Sequence, residues 1–315
     1  MMRSLKKPAA VKPGDAIGIV STSSPCNPGA LESMVSYFQQ RGYSVNKGKH
    51  VLANRGYLAG TAEERAADLN AMFSDRRIRM ILAASGGKGA NQLLPLLNWG
   101  LIRANPKIFV GLSDPSVVAN AILARSNVVA FHGPTGHDFG VTGIDPFSEN
   151  WFWKIVTGTG TLPVSLDITD SIVLRAGHEI TGPLVGGHLG TIQSLIGTPW
   201  SPQWDGAILF FEEIFADWER IDAMLTHFRL AGVFSRVKGL IVGQCVECGS
   251  SSPADATFYD MIIRCVGGEF PILANVPLGH TSKKLTLPLG VPARLHTDNP
   301  SLELLDFGVS GPRRR

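Results

Sequence analysis

The segment Gly111-Leu112-Ser113-Asp114-Pro115-Ser116 puts a serine between the apolar run that starts at Ile108 and a helical pattern. A serine at a strand-to-helix junction has the geometry of a nucleophile elbow, which lifts its hydroxyl clear of the sheet. Pro115 disfavours the α region for Asp114 and itself suits the first helical position. Asp114 is therefore expected as the N-cap, with the helix starting directly after Ser113. Amides at such a helix start favour the negative charge of a tetrahedral intermediate. The same six residues also read as an ordinary cap or turn, and Pro115 stands where the α/β-hydrolase elbow has its second glycine.

A serine nucleophile needs a base and a group to orient that base. Phe210-Phe211-Glu212-Glu213 ends an apolar strand on two carboxylates, and His280 follows another strand in Leu278-Gly279-His280-Thr281. Neighbouring side chains on a strand point to opposite faces, so only one of Glu212 and Glu213 can easily address the imidazole of the base, and Glu212 is chosen. Residue types alone leave the choice of base open, because His132 and His188 also border glycine-rich turns. Ser85-Gly86-Gly87-Lys88-Gly89-Ala90 follows a strand and precedes a helix. Its spacing fits neither a Walker loop, which needs Ser or Thr after the lysine, nor a dinucleotide fingerprint, which needs a small residue at Gln92. The loop is then either an amide cradle for an anion or oxyanion, or a turn that needs positive φ. Cys245-Val246-Glu247-Cys248 has no second half to complete a zinc site, and ordinary thiols at a strand end are expected.

The elements that must position these groups alternate short apolar runs with helical patterns, the signature of an α/β chain with a parallel sheet. Strands are expected at Ile17 to Val20, Met80 to Ala84 and Ile108 to Leu112. Helices are expected from Pro28 to Gly42, after the capping box Thr61 to Glu64, and from Ala90 to Leu97. The second half has strands at Ala207 to Phe211, Gly239 to Gly243 and Ile272 to Val276, and a helix from Asp217 to Leu230. Between Asp138 and Thr181 no long periodic element is evident. The domains are accordingly read as 1–160, which carries Ser113, a linker 161–180, and 181–315, which carries Glu212 and His280.

Composition narrows the function classes. The 315 residues carry 29 Lys plus Arg against 26 Asp plus Glu, a formal charge of +3, too balanced to point to nucleic acid. No apolar run reaches the roughly 18 residues of a membrane helix, and no export signal is recognised, so a cytoplasmic protein with no membrane partner is expected. Four cysteines do not make a disulfide scaffold in a chain of this size.

In this order, the segments resemble the LD-carboxypeptidases of serine peptidase family S66. Matching blocks span most of the chain. They run from Lys12-Pro13-Gly14-Asp15 with Ser24-Pro25 through Gly86-Gly87 with Leu93-Leu94-Pro95 to Gly111-Leu112-Ser113-Asp114. Further on come Gly186-Gly187-His188-Leu189, Gly197-Thr198-Pro199-Trp200, Ile208 to Glu213, Arg220-Ile221-Asp222 with Met224-Leu225, and Gly279-His280 with Leu285 to Gly290. The resemblance implies Ser113 as nucleophile, His280 as base and Glu212 as its partner. It also implies an oxyanion hole from the Asp114 amide and an amide of Gly86 or Gly87. It further implies a flavodoxin-like or amidotransferase-like N-terminal domain, a β-rich C-terminal α/β domain, a site between them, a homodimer, and no metal or organic cofactor.

Three departures bear on substrate. Ser85-Gly86-Gly87-Lys88-Gly89 stands where muropeptide enzymes often have Arg-Gly-Gly-Tyr-Gly, His188 stands for an Asn, and Glu212-Glu213 for Glu-Asp. The loop and Asn91 resemble the branch that cleaves microcin C-type peptidyl nucleotides for self-immunity, whereas Gly279 to Gly290 resembles the muropeptide branch. The expected activity is release of terminal D-alanine from murein tetrapeptides. The rivals are amide hydrolysis of a peptidyl or aminoacyl nucleotide, with Trp151 or Trp153 stacking on the base, and a non-catalytic small-ligand-binding protein. Lys88 and Glu213 are further candidates for substrate contact, Lys88 for the substrate carboxylate.

Overall fold

A computed structural model of the chain describes residues 4–140, 143–166, 168–249 and 257–311. The first half supplies β1 (Ala16–Val20), β2 (Ser44–Lys47), β3 (Ile78–Ala83), β4 (Ile108–Gly111) and β5 (Phe131–His132). The second supplies β6 (Val164–Leu166), β7 (Ile172–Arg175), β8 (Ile180–His188), β9 (Ile208–Ile214), β10 (Gly239–Val246), β11 (Ile272–Val276), β12 (Leu287–Pro288), β13 (Pro292–His296) and β14 (Ser301–Leu304).

The runs that read as unbroken apolar segments become the central strands β1, β3 and β4, because a parallel strand covered by helices is buried on both faces. Their sheet has the order β12-β5-β4-β3-β1-β2. β1 to β5 pair in parallel, and β12 closes the edge antiparallel to β5. This is the flavodoxin-like order, whose reversal between β1 and β3 opens a crevice at the carboxyl ends of the strands. The expected capping box is present: Thr61 Oγ1 accepts from the Glu64 amide and Glu64 Oε2 from the Thr61 amide.

The second sheet has the order β6-β14-β13-β8-β9-β10-β11-β7. Its parallel centre β8 to β11 is flanked on both sides by antiparallel strands. The two sheets meet in one apolar core that contains Val110 and Phe131 from the first half and Ile208, Phe210 and Leu285 from the second. Asn120 Nδ2 donates to the Gly186 carbonyl at 2.9 Å across that junction.

The sequence reading is corrected in three places. Residues 161–180 do more than link, since β6 and β7 form the two edges of the second sheet. Pro146–Thr157 is a helix with Asp145 as N-cap, accepting from the Phe147 amide. Its dense aromatic content hid the helical period, although Asp-Pro was a legible start signal. The short helix expected from Ala90 is present as the 3₁₀ helix Ala90–Leu96, and its Pro95 has no amide to continue an α ladder. Asp114 does not cap the next helix, Ser116–Ala121, whose preceding residue is Pro115.

Candidate active site

Three strand ends converge on one cleft of about 810 Å³. It is lined by Ser24 and Pro25 after β1, by Ser85, Gly86 and Gly87 after β3, and by Leu112 and Ser113 after β4. His280, Thr281, Ser282 and Lys284 form the facing wall, contributed by the C-terminal half. The volume falls within the range of small-molecule sites.

Ser113 has φ of +66°, a left-handed backbone uncommon for a residue with a side chain and a mark of strained functional turns. The turn aims the Asp114 carboxylate away from its own helix, so that its Oδ2 accepts from the Ala90 amide at 2.7 Å. Burial raises the Asp114 pKa; hydrogen bonds from Ser23 and the Ala90 amide partly offset this. The Ser113 turn and the glycine loop are thus tied together. A Cβ on Gly86 would lie 2.8 Å from Ser113 Cβ and 3.0 Å from its Oγ, and one on Gly87 would lie 2.0 Å from Ser24 Oγ. Bare backbone is what lets the loop approach the serine. Gly86→Ala is expected to lower kcat by about 100-fold, the scale of a displacement near 1 Å at the reacting atom, while thermal unfolding moves by a few degrees at most. Unchanged kcat would mean that the loop does not need this close approach.

Arg65, which the sequence reading passed over, fastens the same region. It is 1% exposed and donates to the Thr22 and Gly89 carbonyls at 2.7 and 3.0 Å and to Gln92 Oε1 at 2.7 Å. The signal was present: Arg65 falls on the stripe of Leu69, Met72 and Phe73, where an apolar residue is expected.

On the other wall, His280 Nδ1 lies 2.7 Å from Glu212 Oε2. Glu212 is fully buried. On β9 it shares a face with Ile208 and Phe210, which pack into the common core, while Glu213 shares the opposite face with Leu209 and Phe211. Burial pushes the Glu212 pKa up, but the hydrogen bond and charge of His280, joined by His188, outweigh it and hold the carboxyl below its ordinary value. Gly279 permits the contact, because a Cβ there would sit 2.6 Å from that of Glu212 and its φ is +102°.

The remaining candidates separate. His132 is buried in β5, edge-on to Phe210 with ring centroids 5.3 Å apart, and burial pushes its pKa down to about 4. His188 binds Glu213, with 2.8 Å between Nε2 and Oε1. Lys88 is exposed and is not among the described residues that line the cleft. Trp151 is buried, and Trp153 stacks on Tyr43 at 5.2 Å while donating to the Tyr37 hydroxyl, so both indoles belong to packing outside the cleft. Cys245 lies in β10 opposite Glu213, Cys248 lies just past the strand end, and both are free thiols.

A strained serine at a strand end, a glycine loop pressed against it and a His–carboxylate pair lie on one cleft, the set of groups that a serine hydrolase requires. Residues 17–133 match the model of the LD-carboxypeptidase N-terminal domain and residues 181–295 that of the C-terminal domain. The chain belongs to the LD-carboxypeptidase family and is a serine-type carboxypeptidase. It is 29% identical to the probable murein peptide carboxypeptidase of Bacillus subtilis, covering 96% of this chain and 95% of that one. It is 30% identical to the microcin C7 self-immunity protein MccF of Escherichia coli, covering 97% of each. Among solved structures, MccF in complex with aspartyl sulfamoyl adenosine superposes with a TM-score of 0.87 at 26% identity, covering 97% of this chain and all of that one. The muramoyltetrapeptide carboxypeptidase of Oxalobacter formigenes superposes with a TM-score of 0.81 at 26% identity, covering 92% and 97%. Among the described residues no helix is long and apolar enough to cross a membrane.

Proposed function

We propose that the protein hydrolyses the L,D amide bond that releases terminal D-alanine from murein tetrapeptides, using Ser113, His280 and Glu212. The observation that carries this reading is the single cleft that Ser113 and His280 both line, with His280 backed by a fully buried carboxylate. Ser113 Oγ attacks the scissile carbonyl while His280 Nε2 takes its proton, and Glu212 stabilises the imidazolium through Nδ1. The amides of Asp114 and of Gly86 or Gly87 receive the oxyanion. His280 then protonates the leaving amine, and water releases the acyl group by the same steps in reverse roles.

A carboxypeptidase must hold the free carboxylate next to the scissile bond. Lys284 is the one Lys or Arg among the described cleft-lining residues. Its backbone is fixed by the Ser148 hydroxyl at 2.8 Å, and its ammonium pairs with Asp138, whose other oxygen accepts from the Thr135 amide. One carboxylate leaves an ammonium with donors for a second. Lys284 thus takes the part expected of Lys88, which is exposed and not among the described cleft-lining residues. Lys284→Met is expected to raise KM for tetrapeptide by about 10- to 100-fold, the worth of one charge-assisted hydrogen bond. The same peptide with a terminal carboxamide should be unaffected. Equal losses on both peptides would assign Lys284 to packing.

The second reading, hydrolysis of an aminoacyl nucleotide, is favoured by the likeness to MccF, which is solved with aspartyl sulfamoyl adenosine. The positions of Trp151 and Trp153 weigh against it, since neither can stack on a base in the cleft. Mass spectrometry of both substrates with purified protein decides: free D-alanine from tetrapeptide supports the first reading, and cleavage of the nucleotide alone replaces it.

A further inference from the structure

Glu212 and Glu213 are adjacent at the end of β9 and are 0% and 3% exposed. A buried carboxylate stays ionised only with a partner, and each has taken a histidine. Glu212 Oε2 holds His280 at 2.7 Å, and Glu213 Oε1 holds His188 at 2.8 Å. The two pairs touch: the imidazoles of His188 and His280 meet edge to face, with centroids 5.6 Å apart at 74°.

The second pair is fixed more firmly than the first. Glu213 Oε2 accepts from the Gly190 amide and Oε1 from the Ile214 amide, each at 2.9 Å. His188 Nδ1 lies 2.9 Å from Thr191 Oγ1, so both ring nitrogens are occupied. His188 has no nitrogen left for substrate and is not among the described residues lining the cleft. Glu212, by contrast, has one oxygen on His280, and its Oε1 has no partner among the described residues.

We propose that His188 is a positioning residue for the catalytic base: held as an imidazolium by Glu213 and Thr191, it cancels the charge of Glu213 beside His280, so that Glu212 alone acts on the base. This rests on the Ser113, His280, Glu212 reading. Without a cation at His188, the charge of Glu213 across the strand would add to that of Glu212 at the His280 imidazole. That field would favour the imidazolium form and oppose transfer of the Ser113 proton to the ring. With it, the net charge around His280 is that of one carboxylate, matched to the one positive charge that appears on the imidazole during acylation.

The surroundings agree. Burial disfavours the His188 cation, but the hydrogen bond to Glu213 and the charges of Glu212, Glu213 and Asp114 outweigh it and raise its pKa. His132 in β5 stays neutral, its pKa held near 4 by burial. Cys245 in β10, opposite Glu213, also stays neutral, because its hydrogen bond with Cys248 and burial push its pKa well up. Cys248 lies in the field of Glu213 and Glu212 as well, and its hydrogen bond with Cys245 lowers its pKa.

The test is the pH dependence of fluorophosphonate labelling at Ser113, which needs the base but not the natural substrate. Removing the cation stabilises the protonated base. The acid limb of the labelling rate in His188→Gln should therefore move up by about one pH unit, within the range for a lost neighbouring charge. His188→Gln/Glu213→Gln removes both charges and should return the limb to within about 0.3 unit of wild type, because the net charge is restored. A merely structural histidine would lower the rate at all pH values and leave the limb in place, and superposed limbs would overturn the proposal. Wild type that takes no label at all would instead overturn the triad, and this proposal with it. Should the variants fail to fold, ¹⁵N-histidine spectra of the wild type decide: His188 must be an imidazolium at the pH where Ser113 is labelled, and a neutral ring there overturns the assignment.

Discussion

Ser113→Ala is expected to lower kcat by about 10⁴-fold or more, because the proposed mechanism forms the acyl bond through the Ser113 hydroxyl and leaves the variant only binding and oxyanion contacts. His280→Ala should fall to the same level. The double variant should be hardly worse than either alone, since nucleophile and base act in one step and their losses do not add. The measurement is single-turnover release of D-alanine by mass spectrometry, with tetrapeptide affinity followed separately. Affinity should persist in Ser113→Ala, whose hydroxyl is not what holds the substrate carboxylate. Alanine at 113 also relieves little backbone strain, since it is no better suited than serine to a φ of +66°. Full activity in Ser113→Ala would remove the nucleophile assignment. Additive losses in the double variant would mean that Ser113 and His280 serve different steps.

The strand-to-helix turn at Ser113 was legible because its signals are local. A buried strand, a serine and Asp-Pro within six residues state a strand-to-helix junction without reference to the rest of the fold. The capping box at Thr61 was legible for the same reason. What the sequence did not display are features fixed by register and by distant partners. Asp114 looked like a cap because its neighbours have cap chemistry; its actual partner, the Ala90 amide, is 24 residues back in the chain. β12 reads as a two-residue fragment until it pairs with β5, which carries the C-terminal half back onto the first sheet. The Glu213–His188 pair depends on β8 and β9 lying in the register that sets His188 beside Glu212, and nothing in either strand alone specifies that alignment. Lys284 was overlooked because Lys88 sits in the glycine loop, while a lysine four residues beyond His280 reads as an exposed charge.

Glu212→Gln is the second variant with a large expected effect, and it separates the two carboxylates. Its amide has the shape of the carboxylate but no charge, and its NH₂ can donate toward His280 Nδ1. That favours the wrong tautomer, with the proton on Nε2, where Ser113 needs a lone pair. The corresponding loss in a serine protease triad is about 10⁴-fold in kcat, and kcat here is expected to drop on that scale with KM nearly unchanged, because Glu212 is buried behind His280 and does not face substrate. Glu213→Gln acts on His188 instead. It leaves the His280 tautomer intact and is expected to cost about tenfold or less at the pH optimum, the scale of one moderate electrostatic contact. The ranking follows from strand geometry. Ile208, Phe210 and Glu212 face the common core, and Leu209, Phe211 and Glu213 face the helices of the second half, so a one-residue slip in β9 would exchange the two roles. Steady-state kinetics of the two glutamine variants on tetrapeptide make the comparison. A larger loss in Glu213→Gln would assign the orienting charge to the His188 side and identify His188, rather than His280, as the base.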